Sequence, residues 1–80
     1  MVVIIKNIER EIQLLNVADT WQEGTDIIAE DFMKTFLDNG RTQEDFDNGV
    51  GEYDEWNLNE DNAFLNGSSD INYDWKMFWL

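Results

Sequence analysis

The last ten residues constrain the fold more than any other part of the chain. Ile71, Tyr73, Trp75, Met77 and Trp79 alternate without a break against Asn72, Asp74, Lys76, Phe78 and Leu80. Five apolar residues at period two put one face of an extended strand against a core; a helix would scatter them around its circumference. Near the end Phe78 and Leu80 make both faces apolar, which suits a central strand. Val2-Val3-Ile4-Ile5 is a β-branched run of the kind buried in sheets, and it is expected beside this last strand.

Between the two strands the period changes. Ile8, Ile12 and Leu15 recur at spacings of four and three, with Glu9, Arg10, Glu11 and Gln13 outside, which predicts an amphipathic helix ending near Asn16. Thr20 with Glu23 makes a capping-box pattern, yet Gly24 follows at once, so residues 18–24 read either way. A second helix is predicted from a cap at Thr25, with Ile28, Phe32 and Phe36 on one face and Ala29, Met33 and Leu37 widening it. Asn39-Gly40 closes it. Thr42 with Asp45 repeats the capping-box pattern and predicts a short helical turn up to Asn48-Gly49. Asn-Gly occurs again at Asn66-Gly67, and a Phe precedes each of the three pairs, which predicts positive-φ turns tied to the core. Tyr53 to Leu58 reads as a strand with Trp56 and Leu58 on one face. The expected class is α+β: one domain over residues 1–80, with two helices from the N-terminal half on one face of a small, mainly antiparallel sheet that includes the C-terminal strand.

A chain of 80 residues buries only about 60% of the surface its unfolded form exposes, so its margin of stability is thin. It has no cysteine, hence no disulfide and no thiolate chemistry. Stability rests on four Trp, five Phe and two Tyr, each able to bury on the order of 150–250 Å², with oligomerisation the other remedy for a small domain. Val2–Ile5 is too short for the apolar core of a signal peptide, and no run nears the ~18 apolar residues of a membrane span. A soluble, cytoplasmic protein is expected.

Charge separates the two halves. The net charge is −13. Residues 1–41 hold eight acids and four bases, whereas residues 42–80 hold ten acids and one base. Glu44, Asp45, Asp47, Glu52, Asp54, Glu55, Glu60, Asp61, Asp70 and Asp74 fall between Thr42 and Trp75, with no Lys or Arg among them. Phe46, Tyr53, Trp56, Phe64 and Leu65 are threaded through the same stretch, which separates it from an acidic disordered tail. A compact chain of this length is roughly 30 Å across, and duplex DNA of that length carries about 18 charges. The chain therefore approaches the charge density of a nucleic acid. It should attract cationic partners and repel nucleic acid and anionic membranes.

The residue types argue against catalysis. There is no His or Cys, and Ser68 and Ser69, the only serines, have no base nearby in sequence. With 18 acids some carboxylate pair is always available, so a pair signifies little. Asp45 to Glu52 superficially resembles a calcium loop, but Val50 stands where the sixth position needs Gly and Trp56 where the twelfth needs Glu. No catalytic residue, specific metal site or cofactor is expected. The expected binding surface comprises the carboxylates of Glu44, Asp45, Asp47, Glu52, Asp54, Glu55, Glu60 and Asp61, with Tyr53 and Trp56 as partly exposed aromatic anchors. Carboxylates at alternate strand positions would lie about 6.8 Å apart on one face and could imitate a row of phosphates.

In size, charge segregation, lack of cysteine and aromatic content, the chain resembles the small acidic inhibitor proteins of bacteriophages and mobile elements. Many of these are DNA mimics: uracil-DNA glycosylase inhibitors, anti-restriction proteins and anti-CRISPR proteins. The resemblance implies a non-enzymatic inhibitor, monomeric or a small homo-oligomer, acting in the host cytoplasm if phage-encoded. It would occupy the basic nucleic-acid-binding site of a host protein or complex without binding nucleic acid or membrane itself. Two other readings fit the same charge. An immunity protein or antitoxin would cover a basic surface unrelated to nucleic acid, and an adaptation to a salty habitat would have no tight partner.

Overall fold

The C-terminal alternation does build the centre of a sheet. A computed structural model describes all 80 residues. Its elements are β1 (Val2–Ile8), β2 (Glu11–Ala18), α1 (Trp21–Asp38), α2 (Gln43–Asp47), β3 (Trp56–Leu58), β4 (Asn62–Asn66) and β5 (Asn72–Trp79), with a 3₁₀ turn at Ser68–Asp70. The strands form one antiparallel sheet in the order β2-β1-β5-β4-β3. β5 is central and pairs with β1 from Val2↔Trp79 to Ile8↔Tyr73, as the sequence predicts. The class is α+β, with two helices packed on the sheet.

The expected helix over Ile8–Asn16 is instead the turn and second strand of a hairpin. Glu9 and Arg10 take positive φ (50° and 73°), a two-residue turn that normally calls for Asn-Gly or Gly. Glu9 is held there by β5: its N–H donates to Asn72 O at 3.0 Å, and its Oε1 accepts from Asn72 N at 2.5 Å. A long-range contact thus replaces the missing glycine. The misleading period has its own cause. Ile4 pairs with Asn16 but Ile5 pairs with Leu14, so Leu15 is an extra, bulged residue. A bulge inserted into period-two alternation yields apolar residues at 12, 14, 15 and 17, which imitates helical spacing.

The long helix also starts earlier than Thr25. Thr20 is its N-cap, with Oγ1 accepting from Glu23 N at 3.2 Å. Gly24 lies inside the helix for a packing reason: a Cβ there would sit 2.6 Å from Met77 Sδ and 3.2 Å from Val2 Cγ1. It is a contact point between helix and sheet, and not a breaker. The face of Ile28, Phe32 and Phe36 is buried as expected. Phe32 sits at the hub of an aromatic cluster, with ring centroids 5.4 Å from Trp75, 5.6 Å from Phe36 and 5.9 Å from Trp56.

One ion pair lies at the helix–sheet junction. Lys6 Nζ is 2.9 Å from Asp31 Oδ2, both side chains being mostly buried, and it donates to Thr35 Oγ1 at 3.0 Å. Trp75 Nε1 donates to the same Asp31 oxygen at 2.8 Å. Asp31 thus ties α1 to β1 and β5. No helix is long and apolar enough to cross a membrane.

Candidate partner-binding surface

The acidic stretch is built around β3, at the sheet edge opposite β2. α2 forms as predicted: Thr42 Oγ1 accepts from Asp45 N at 3.1 Å, and Asp45 Oδ2 accepts from Thr42 N at 3.2 Å. Its single apolar anchor is Phe46, whose ring stacks on Trp56 at 5.1 Å and meets Phe36 edge-on at 5.9 Å. That contact lays Glu44, Asp45 and Asp47 beside the start of β3.

Residues 49–55 form a tight loop, so the strand expected from Tyr53 begins only at Trp56. Gly49, Gly51 and Tyr53 all take positive φ (68°, 81° and 72°), which extended backbone does not allow. Glu55 N–H donates to Gly51 O at 2.8 Å, and Tyr53 N–H donates to Trp56 O at 2.7 Å. The turn presents Glu52, Tyr53, Asp54 and Glu55 outward together, with Tyr53 74% exposed at its tip. A bulky residue held at positive φ is costly, and such strain collects at functional surfaces.

Two expectations about this surface are overturned. Trp56 is not an anchor for a partner: it is 2% exposed, packed between Phe36 and Phe46, and its Nε1 donates to Val50 O at 2.8 Å. Its role is to hold the loop and α2 to the core. Nor do the carboxylates form a row along a strand. Of the ten in the stretch, only Asp74 belongs to a strand; the others sit on α2, in loops and on turns. Glu60 and Asp61 lie on the β3–β4 turn, at the far end of β3 from Glu52–Glu55. The negative surface is therefore a rim around one sheet edge.

The interval without bases in sequence is not without them in space. Arg41, one residue before it, folds back so that its Nη1 is 3.2 Å from Glu55 Oε2, and its Nη2 donates to Asn66 O at 3.1 Å. Its guanidinium lies 5.5 Å from the centre of the Phe36 ring. Glu55 is thus partly neutralised, and Asp45 is engaged in its cap. Glu44, Glu52, Asp54 and Glu60 are exposed and make no ion pair, and they are the residues best placed to meet a cation. Arg41 stands directly before the acidic stretch, so only a window drawn without its flank misses it.

No three carboxylates converge closely enough to hold a metal ion. Compared with protein families, curated proteins and solved structures, the chain matches none.

Proposed function

We propose that this protein is a non-enzymatic acidic inhibitor whose rim of carboxylates occupies the basic nucleic-acid-binding site of another protein. The observation that carries this reading is the uneven placement of charge. Exposed acids crowd α2, the 49–55 loop and the β3–β4 turn, while Arg41, which folds against the loop, is already engaged. A site built for phosphates presents Lys and Arg at several positions along a groove. A rigid rim of carboxylates on turns can meet such a groove without the regular spacing of a strand, and its field speeds encounter. Tyr53, raised at the loop tip among acids, supplies an aromatic contact of the kind that dominates binding energy.

The test is capture followed by competition. The immobilised protein should retain a basic protein from a cell lysate, and that protein should bind labelled nucleic acid on its own. Adding the free inhibitor should release the label competitively, with an association rate that falls as salt rises from about 0.01 M to about 0.1 M. A captured protein that never binds nucleic acid would favour the immunity-type reading. One that binds inhibitor and nucleic acid together would exclude mimicry.

A further inference from the structure

α1 covers one face of the sheet and leaves the other bare. Along β1, Val2 and Ile4 are buried and Lys6 reaches α1, so Val3, Ile5 and Asn7 point the opposite way. The strand registers set Val17 and Phe78 beside Val3, Leu14 and Lys76 beside Ile5, and Ile12 and Asp74 beside Asn7. Phe64 lies next to Asp74 on β4. An antiparallel sheet with one wet face normally carries polar residues there. Here β1 and β2 place aliphatic side chains there instead, and Ile12 and Leu14 are 69% and 66% exposed. The only charges in these rows are Asp74 and Lys76, so across β2, β1 and β5 the face is neutral in a chain carrying −13.

We propose that this open sheet face binds the same face of a second copy of the chain, in a two-fold dimer with the two sheets about 10 Å apart. Three observations select this occupant, and none depends on the function of the acidic rim. First, the molecule is a slab of 33 × 25 × 18 Å, and its broad face is of the order of the ~800 Å² per partner that a standard interface takes. Second, a cationic partner would find only two carboxylates here, both already engaged: Asp74 accepts from Asn7 Nδ2 at 3.2 Å, and Asp61, beside Phe64 and Lys76, accepts from Asn62 Nδ2 at 3.1 Å. Third, the charges complement themselves. Lys76 forms no ion pair within its own chain. A two-fold axis crossing the strands at Trp75 sets Lys76 of one copy against Asp74 of the other, twice. In both copies α2, with Glu44, Asp45 and Asp47, packs on the helix side through Phe46, so these acids stay outside the interface, where salt screens them.

Sedimentation equilibrium on the full chain, from about 10 µM to about 300 µM, reads the association directly. A dimer is expected, and it should tighten between about 0.05 M and about 0.5 M salt, because screening relieves repulsion between two anionic copies. Salt should weaken capture of a cationic partner, the opposite sign, so the two interactions fail separately. Leu14→Glu should weaken the dimer at least about tenfold while leaving circular dichroism unchanged, and melting unchanged at concentrations where the parent is monomeric, since the side chain is exposed in the single chain. Asp74→Lys and Lys76→Glu should each weaken self-association, and an equimolar mixture of the two should restore it as a heterodimer. A chain that is monomeric at every concentration, a Leu14→Glu dimer as tight as the parent, or a mixture that fails to associate would each overturn the proposal.

Discussion

The acidic rim around β3 and the bare face over β1 and β2 are both exposed, yet they are built from opposite materials. The rim has little regular structure and many unpaired carboxylates, and a buried aromatic stack fastens it to the core. The bare face is regular sheet, its neighbours fixed by hydrogen-bonded register, and it nets no charge. A chain near the charge density of a duplex has thus kept one broad surface neutral. The lesson is that net charge describes the rim and not the molecule: long-range attraction belongs to one edge, and apolar contact to one face.

The largest expected effect tests what supports the rim. Trp56→Ala removes the stack on Phe46 and the bond to Val50 O, and it should cost about 3–5 kcal/mol in denaturant unfolding. Ile12→Ala, on the bare face, should stay within about 0.5 kcal/mol when unfolding is measured on the monomeric chain. Similar losses from the two would erase the contrast. Next in size is Asp31→Asn, which leaves the Lys6 ammonium facing an amide under α1. The expected cost is about 2–3 kcal/mol, near the low end for broken buried pairs because both groups keep some access to water. Asp26→Asn, on the outside of the same helix, serves as the near-neutral control in that measurement.

Tyr53→Ala should leave melting almost unchanged while weakening partner binding by about 1–2 kcal/mol, measured by calorimetry on the captured protein. A destabilised fold with unchanged affinity would make Tyr53 a structural residue of the loop. The smallest effect concerns the field of the whole chain. Raising salt to about 0.5 M should stabilise the protein by about 1 kcal/mol or less, a rise of a few degrees in melting temperature for a domain of this size. A fall in melting temperature would show that the charges are not in net repulsion.

How much of this was legible follows from where each signal resides. β5 and the buried face of α1 were readable because their periods are unbroken and Trp75, Met77, Ile28, Phe32 and Phe36 do face the core, although Trp79 at the strand end is 59% exposed. α2 was readable from Thr42 and Asp45, whose capping box is local chemistry. β2 was not. Its turn lacks glycine because Asn72, more than 60 residues away, secures Glu9, and its bulge at Leu15 counterfeits a helical period. Gly24 misled for a related reason, since only the position of Met77 explains it. The Asn-Gly rule held at Gly40 and Gly49, which take positive φ, but Gly67 has φ −85°. There Leu65 is the buried residue, and Phe64 points to the bare face. In the rim, Glu44, Asp45, Asp47, Glu52, Tyr53, Asp54 and Glu55 are brought together as expected. Trp56 was misjudged and the contact of Arg41 with Glu55 was missed, because burial and ion pairing across the fold leave no mark on composition.

The most direct measurement compares two variants of equal charge. Glu44, Glu52, Asp54 and Glu60 become Gln or Asn in one, and Glu11, Asp19, Asp26 and Glu30 in the other, so that each carries −9, four fewer than −13. None of these eight closes a cap or forms an ion pair, and both folds should survive. Inhibition constants are then read by displacement of labelled nucleic acid from the captured partner. The rim variant should lose at least about 2 kcal/mol of affinity, roughly thirtyfold, because contact charges set the dissociation rate. The control should mainly slow association, by a few-fold. Equal losses in the two variants would contradict contact mimicry and leave the acidity acting only at long range.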